Sequence, residues 1–486
     1  MLAASPRLSV RAPAGRALVA ALGLLAVVRI VIAAHTPIID DEGYYWNWSR
    51  HLSLSYLDHP PLVAWLDALA TAAGRSEWAL RLPAMAATLG TTLMLYLFGR
   101  DLFGEPAGIR TAVVHLALPV FSLQAIHAIP DPLLYVCWSA GLWTFWRAVH
   151  GASGMWWACG LALGLGLLSK YAMVLLPVAW LGVLAWPRYR RLWRTPGPYL
   201  AAGVAAVLAA PVVVWNAQHR WASFWFWLRA GQPGGPPLGG SHGWGLVSDL
   251  AVQFAYAGPL LFPMLLWALW KSWRIGRGDE RFAYLAWAGG PTLLLVAVVN
   301  LLGVNRPNWP APAYLAGALA LGALWPSRLG RAAVAFGLAL SLAAAALIPL
   351  IPSLPPALRW NELYGWREVT EEMVRRAGAV AFDDPGHTVL IGQRYNEASY
   401  FGYYAGDRFP VTTRGLSEFS FFAPPHRFAG WQGIAAVDSH ENLDRLRRDC
   451  ARLAEQPPYE LPFSGGGVRT FRIFHCEGYR GTVPAP

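Results

Sequence analysis

Several ionisable side chains follow the first hydrophobic segment, within IIDDEGYYWNWSRHLSLSYLDHPPL at residues 38–62: Asp40, Asp41, Glu42, Asp58 and His59. A carboxylate held against an apolar wall can act as a general base, which is the role we predict for the Asp41–Glu42 pair. Asp58 could ligate a divalent cation through its oxygens. His59 could ligate a metal ion or contact a phosphate. This stretch therefore predicts a site for acid–base or metal-assisted chemistry.

Each of these motifs also has a purely structural interpretation. Asp40 is best explained as a solvated charge at a helix end. For Asp41 and Glu42 we favour function, because the aromatic run 44–48 follows at once and is typical of a helix lying in a membrane interface. The alternative for Asp58 and His59 is a capped turn, since two prolines follow and end any helix there.

Three more candidates occur further along the chain. Asp131, in IPDPL, suits either a helix N-terminus or a site. Lys170, in LLSKYAM, is one of only two lysines; it either extends to lipid headgroups or binds a lipid phosphate as a point charge. His219, in WNAQHRWASFWFW, is either a structural histidine or a metal ligand. The segment GLGLLSK lacks the spacing of a phosphate-binding loop.

The composition is that of a membrane protein. The 486 residues are 55% hydrophobic and only 14% charged, with a mean hydropathy of +0.35. A soluble protein carries about 25% charged residues. The net charge of +11 does not indicate nucleic-acid binding, because the arginines fall in the gaps between apolar runs, where they act as orientation signals.

Long apolar runs predict roughly eleven membrane spans, the first a retained anchor rather than a cleaved signal peptide. Their approximate bounds are 17–35, 79–98, 108–126, 132–149, 155–169, 171–187, 198–215, 248–270, 282–303, 311–326 and 332–352. With the N-terminus inside, the basic clusters, including RYRRLWR at 188–194, fall in inner loops. All the candidate site residues then lie at the outer face.

The predicted fold is therefore mainly α: a polytopic helical bundle over residues 1–352, with a small α/β domain outside the membrane at 353–486. The first outer loop, 36–78, carries interfacial helices and the acidic motif. In the C-terminal domain we predict a helix in WNELYGWREVTEEMVRRAG and strands in HTVLIGQRY and VRTFRIFHC. The Gly/Pro-rich stretch 231–243 is predicted to be a mobile outer loop.

The four cysteines fall into two classes. Cys137 and Cys159 lie in predicted spans and are expected to be packing residues. Cys450 and Cys476 lie in the outer domain and could pair in an oxidising compartment, but their separation in space does not follow from the sequence.

Six segments occur in an order that resembles the bacterial family 39 glycosyltransferases, relatives of the protein O-mannosyltransferases and of the aminoarabinose transferase that modifies lipid A. They are DDEGYYWNWSRHLSLSYLDHPPLVAW, IPDPLL, LLSKYA, WNAQHRWASF, RPNWPAPAYL and GQRYNEASYFGYY. The resemblance implies a GT-C fold with interfacial helices in the first outer loop and a periplasmic C-terminal domain. It also implies a sugar donor on a polyprenyl phosphate, loaded from the outer leaflet of a bacterial cytoplasmic membrane.

The resemblance also implies roles for particular residues. The catalytic aspartate of the family matches Asp41, with Glu42 beside it, and an acidic position that binds metal in relatives matches Asp58. The next position contacts lipid phosphate as a lysine in the aminoarabinose transferase and is His59 here. Asp131 and Lys170 match the acidic and basic positions that follow. A metal-ligating histidine of the later outer loop matches His219 or, in another alignment, His242.

The function predicted from these roles is transfer of a sugar from polyprenyl phosphate to a glycan, lipid or protein acceptor, with inversion at the anomeric carbon. Asp41 would take the acceptor proton, and Lys170, His59 and a divalent cation on Asp58 would stabilise the phosphate. No nucleotide cofactor is expected, because the chain has no dinucleotide-binding fingerprint.

One alternative is a transporter or flippase of a lipid-linked substrate, which would usually show paired halves with interrupted helices. Another is a non-catalytic membrane scaffold, which leaves the acidic cluster unexplained.

Overall fold

Helices form most of the chain in the computed structural model, which describes residues 13–229, 245–301, 307–355, 363–383, 386–438 and 442–481. The predicted loop 231–243, including His242, lies outside these ranges. The α-helices are α1 (Pro13–His35), α2 (Asp40–Ser49), α3 (Leu62–Ala70), α4 (Glu77–Phe103), α5 (Glu105–Ala117), α6 (Pro119–Gln124), α7 (Pro130–Val149), α8 (Met155–Ser169), α9 (Leu175–Leu184), α10 (Pro196–Gln218), α11 (Ala222–Arg229), α12 (Gly245–Tyr256), α13 (Leu261–Ile275), α14 (Glu280–Leu301), α15 (Ala311–Leu324), α16 (Ser327–Leu347), α17 (Trp366–Asp383), α18 (Tyr395–Ala405), α19 (Phe419–Phe422) and α20 (Asp444–Asp449). The prediction of a mainly helical chain is confirmed.

Four helices in the described part of the chain, α4, α10, α14 and α16, are long and apolar enough to cross a membrane. The number rises to six if two bent pairs, α1 with α2 and α12 with α13, each count as one span. The predicted eleven is not reached, partly because single apolar runs are broken. The run 108–126 is divided where Pro119 begins α6, and the run 248–270 bends by 102° after Gly258, whose φ is +84°.

The first outer loop begins where α1 and α2 meet at a bend of 91°. With ten residues, α2 is only about 15 Å long, too short to cross the membrane alone. Its aromatic side chains were predicted to lie in the membrane interface, but Tyr44, Tyr45, Trp46 and Trp48 are all at most 5% exposed. They are buried because α18 of the C-terminal domain packs on α2, through contacts such as the edge-to-face contact of Trp46 with Tyr403.

The C-terminal domain is built on a five-stranded sheet with the order β2-β1-β3-β5-β4. The strands are β1 (Thr388–Gly392), β2 (Val411–Thr413), β3 (Gln432–Asp438), β4 (Cys450–Pro462) and β5 (Val468–Tyr479). Strands β1, β2 and β3 pair in parallel, whereas β5 pairs antiparallel with both β3 and β4. The two strands and the helix predicted in this domain are confirmed as β1, β5 and α17, although α17 begins only at Trp366.

Two of the four cysteines form a disulfide, and the other two are free thiols. Cys450 and Cys476 form a disulfide between β4 and β5, with their Cα atoms 5.4 Å apart. Cys450 begins β4, which pairs antiparallel with β5, and this disulfide is the pairing that the sequence left open. Cys137 and Cys159 are free and buried among the membrane helices, as predicted.

The C-terminal domain and the first outer loop meet with almost no space between their backbones. A Cβ atom added at Gly43 of α2 would lie 2.7 Å from the carbonyl oxygen of Ser399 in α18. That same carbonyl accepts a hydrogen bond of 3.2 Å from Nδ2 of Asn47. Gly43 is therefore needed for the close approach of the two helices.

We expect Gly43→Ala to reduce the free energy of unfolding by about 1–3 kcal/mol, the cost of overpacking a tight contact. Gly378→Ala is the matched control, because Gly378 is exposed in α17 with nothing within 4 Å of an added Cβ. There the better helix propensity of alanine should leave stability unchanged or raise it by up to about 1 kcal/mol. Thermal unfolding of the purified protein in detergent measures both. Equal behaviour of the two variants would contradict the tight contact.

Candidate active site

A buried ion pair joins the first outer loop to the membrane helices. The carboxylate of Glu42, at the start of α2, accepts hydrogen bonds of 2.7 and 2.6 Å from Nε and Nη2 of Arg81 in α4, and both side chains are 0% exposed. The remaining Arg81 donors reach three backbone carbonyls at the turn between α1 and α2: Ala33, Thr36 and Pro37. This arginine therefore holds the 91° bend.

The Glu42 carboxylate has further backbone partners. It accepts hydrogen bonds from the backbone N–H of Ile39, at 3.0 Å, and of Ala128, at 2.9 Å, and lies 3.4 Å from Nδ1 of His127. Burial alone would raise the pKa of Glu42, but the charge and hydrogen bonds of Arg81, with those of His127, hold it well below its usual range. A carboxylate so fully occupied is poorly suited to accept a substrate proton. These contacts favour a positioning role for Glu42 over the predicted catalytic one.

Asp41, the neighbouring residue on α2, has the opposite electrostatic environment. Burial raises the pKa of its carboxyl to about 7, with additional contributions from the negative charges of Asp40, Asp58 and Asp131. Lys170 opposes the shift. Three other predicted site residues, Asp58, Asp131 and Lys170, therefore lie within electrostatic range of Asp41. A carboxyl that titrates near neutral pH is well matched to proton transfer.

Lys170 and Asp131 form a buried ion pair. Nζ of Lys170 lies 2.8 Å from Oδ2 of Asp131, and the lysine is 8% exposed, so it does not extend to the headgroups. Oδ1 of Asp131 accepts hydrogen bonds from Nδ2 of Asn308, at 2.8 Å, and from the Tyr135 hydroxyl, at 3.2 Å. Asp131 lies in the first turn of α7, but the residue at the N-cap is Ile129. Its carboxylate orients the lysine rather than capping the helix.

Asp58 lies in the turn before α3 and connects the site to the C-terminal domain. Its Oδ1 accepts a hydrogen bond of 3.4 Å from the Tyr44 hydroxyl, which itself accepts one of 2.8 Å from the backbone N–H of Glu418. The Glu418 carboxylate in turn accepts a 2.6 Å hydrogen bond from the backbone N–H of Leu57. Burial raises the pKa of Asp58 to about 7.

The two histidines predicted to act here differ in their surroundings. His59 lies near the aromatic rings of Tyr45 and Trp227, each with its centroid 6.0 Å away, beside the acidic cluster. His219 caps the C-terminus of α10, donates a 2.8 Å hydrogen bond from Nδ1 to the Trp215 carbonyl oxygen, and stacks on the Trp215 ring. This is the structural role that the sequence left open.

The metal prediction has little support in the geometry. In the described ranges, no group of three or more His, Cys, Asp or Glu side chains is arranged to hold a metal ion. Asp58 and His219, the two predicted ligands, share no described contact. The described residues alone therefore do not assemble a cation site, and no mechanistic step below is assigned to a metal.

The prediction missed Arg81 and two residues of the C-terminal domain, Tyr395 and Glu418. Arg81 had a signal, because a lone arginine inside an apolar span needs a buried partner. The Tyr395 ring contacts the Tyr44 ring at a tilt of 52°, with centroids 5.0 Å apart, and Tyr395 belongs to the segment GQRYNEASYFGYY. Glu418 had no signal, since only the docking of the domain brings it to Leu57.

We expect Glu42→Ala to lower the free energy of unfolding by about 3–5 kcal/mol, because it leaves the Arg81 charge buried without its partner. Arg472→Ala is the control: it removes a partly exposed pair with Glu455, worth at most about 1 kcal/mol. Chemical unfolding in detergent compares the two. A Glu42→Ala effect as small as that of the control would show that the pair does not hold the loop.

Comparison with known proteins finds similar glycosyltransferases by sequence and a similar fold by structure. Residues 58–215 match the model of the dolichyl-phosphate-mannose-protein mannosyltransferase family. The lipid A galacturonosyltransferase RgtD of Rhizobium johnstonii is 28% identical over 301 residues, which are 58% of this chain and 60% of that protein. The undecaprenyl phosphate-alpha-4-amino-4-deoxy-L-arabinose arabinosyl transferase of Edwardsiella ictaluri is 28% identical over 276 residues, 51% of this chain and 47% of that protein. The matches thus span about half the length of these relatives.

The fold is shared with a solved structure over nearly the whole chain. ArnT from Cupriavidus metallidurans, bound to undecaprenyl phosphate, superposes with a TM-score of 0.66 and 16% identity, covering 96% of this chain and 98% of that one. Its structure in the apo state gives a TM-score of 0.63. The resemblance inferred from the motifs is confirmed: the chain is similar in sequence to protein mannosyltransferases and aminoarabinose transferases, and it shares the fold of ArnT.

Proposed function

We propose that this protein is an integral-membrane glycosyltransferase that moves a sugar from a polyprenyl-phosphate donor to an acceptor at the outer face of a bacterial cytoplasmic membrane. The observation that carries the proposal is the environment of Asp41: a buried carboxyl that titrates near neutral pH, within electrostatic range of the Lys170–Asp131 pair. A general base and a buried cation at one site are what displacement of a phosphate by a hydroxyl or amine requires.

The proposed reaction is a single displacement. The acceptor hydroxyl or amine attacks the anomeric carbon, its proton passes to the Asp41 carboxylate, and the bond between that carbon and the phosphate oxygen breaks. The polyprenyl phosphate leaves with the electron pair of that bond, and the anomeric carbon inverts. Proton loss and bond cleavage thus balance without a nucleotide or an oxidant.

Positive charge stabilises the departing phosphate in this mechanism. Lys170 makes one described hydrogen bond, to Asp131, and an ammonium group has three donors, so it can bind a phosphate oxygen while remaining paired. Asp131 and Asn308 then act as positioning residues that fix where the ammonium lies. His59 is the second candidate contact for the phosphate, from the turn that follows Asp58.

The acceptor and the topology belong to the same proposal. The relatives in Rhizobium johnstonii are named for transfer to lipid A and to the lipopolysaccharide core, which favours an envelope glycolipid over a protein as the acceptor. The basic loops around Arg188–Arg194 and Lys271–Arg281 favour the cytoplasm for that side. The C-terminal domain and the Asp41 site would then lie in the periplasm.

Asp41→Asn should reduce transfer of labelled sugar from a polyprenyl-phosphate donor at least about a hundredfold, the usual scale for loss of a general base, without unfolding the protein.

The Asp41 carboxyl must be unprotonated to act as a base, so wild-type activity should rise with pH through about 7 and then level off. Asp40→Asn removes a negative charge that raises the pKa of Asp41, so this variant should move the rise to lower pH.

The purified variants are assayed against an envelope glycolipid and, in parallel, against a peptide acceptor. Near-normal transfer by Asp41→Asn would remove Asp41 from the mechanism. Transfer to the peptide alone would keep the enzyme class but reject the lipid acceptor.

Lys170→Ala should raise the donor concentration needed for half-maximal transfer, and Lys170→Arg should be partly impaired because the planar guanidinium bonds differently. Lys271→Ala serves as the control. Lys271 is the other lysine of the chain and lies over the Trp270 ring near the C-terminal end of α13. Transfer is measured against donor concentration, with thermal stability alongside. Unchanged donor dependence in Lys170→Ala would place the phosphate elsewhere.

A further inference from the structure

A groove lies between the end of the first outer loop and the C-terminal domain, on a different face of α2 from Asp41. It consists of two adjoining cavities of about 310 and 500 Å³, and Arg75 lines both. Trp46, which lines the larger cavity, follows Asp41 by five residues and so points about 140° around the helix from it. The groove is therefore separate from the proposed catalytic site.

Four arginines line this groove, and three of them have carboxylate partners. Arg50 pairs with Asp407 at 3.3 Å, Arg367 with Glu77 at 2.5 Å and Arg408 with Glu371 at 2.7 Å. These pairs by themselves could form an ordinary solvated salt-bridge surface, with most of its charge balanced.

Arg75 distinguishes the groove from such a surface. Its described contacts are a hydrogen bond to the Tyr403 carbonyl and the faces of Trp46 and Tyr403, 5.9 and 5.6 Å from its guanidinium carbon. Among the described ion pairs none includes Arg75, so the groove carries one positive charge more than its carboxylates balance. Aromatic faces hold the guanidinium between the two cavities, where it can bond an anion.

Exposed apolar side chains of α1 and α4 adjoin the groove. Arg75 lies just before α4, the first long span, and Trp78 at the start of that span is 44% exposed. Ala34 of α1 lines the smaller cavity, and one and two turns below it Val31 and Val27 are 55% and 58% exposed. An apolar strip on α1 thus leads directly up to the arginines.

We propose that this groove binds the phosphate of a membrane lipid headgroup, with Arg75 as its main contact and the acyl chains along α1 beside Trp78. An excess guanidinium held at the outer end of a membrane span, above an exposed apolar strip, matches the two halves of such a lipid. The proposal depends on the proposed topology only for the leaflet concerned, and not on the transferase reaction.

The test measures binding to the purified full-length protein in detergent by thermophoresis. The probes are a short-chain phosphatidic acid, the matching diacylglycerol without phosphate, and inorganic phosphate. Phosphatidic acid should bind at least about tenfold more tightly than either of the others. Arg75→Gln should weaken its binding about tenfold, the scale for loss of one hydrogen bond to a charged group, and Arg75→Lys should weaken it less.

Two controls locate the effect. Arg445→Gln/Arg448→Gln removes two exposed arginines near α20 and should leave binding unchanged. Lys170→Ala should also leave lipid binding unchanged, which separates the groove from the donor phosphate site.

Equal binding of diacylglycerol, or full binding by Arg75→Gln, would overturn the proposal. If inorganic phosphate binds as tightly as the lipid, the lipid part is overturned. If Arg75→Gln does not fold, Arg50→Gln replaces it, and unchanged lipid affinity there overturns the proposal.

Discussion

The buried pair of Glu42 and Arg81 is the interaction on which the candidate site depends. Two fully buried charges are costly to desolvate, and they are tolerated here because nearly every donor and acceptor has a partner. The partners lie on α1, the α1–α2 turn, α4 and the segment before α7. The Glu42–Arg81 pair thus fixes the direction of α2. It also fixes the position of Asp41, which directly precedes Glu42 on the same helical turn.

Adjacent carboxylates on one helix consequently have opposite properties. Glu42 is held ionised by a guanidinium, whereas Asp41 is buried among other carboxylates and titrates near neutral pH. The difference comes from the side of α2 on which each side chain lies. One side faces Arg81, and the other faces Asp58, Asp131 and Lys170. Such divergence between neighbouring acids commonly distinguishes the residue that does chemistry from the one that supports it.

The C-terminal domain forms one wall of the candidate site. Its helix α18 covers the aromatic face of α2, and Glu418 and Tyr395 reach the neighbourhood of Asp58 and Tyr44. The close contact between Gly43 and Ser399 leaves little freedom for the domain to move independently of the loop. The shape and electrostatics of the candidate site are therefore joint properties of both parts of the chain.

The sequence by itself determined the class of the protein and most of its candidate residues. Long apolar runs with arginines between them indicate a membrane bundle, and Asp41, Asp58, Asp131 and Lys170 stood out because charges are rare in such a chain. Local patterns also predicted α17, β1 and β5, since hydrophobic periodicity is a short-range property.

Only the tertiary structure decided how those residues are paired. Asp131 pairs with Lys170, and Glu42 pairs with Arg81. The two residues of each pair are 39 positions apart in sequence, so spacing along the chain could not reveal either pair. The partners of Glu42 favour a positioning role over the predicted catalytic one, and the described contacts of His219 are with Trp215 and Phe421 rather than with Asp58. Whether a carboxylate acts as a general base or as a structural residue depends on its neighbours, because burial and adjacent charge set its pKa. Those neighbours are brought together by folding.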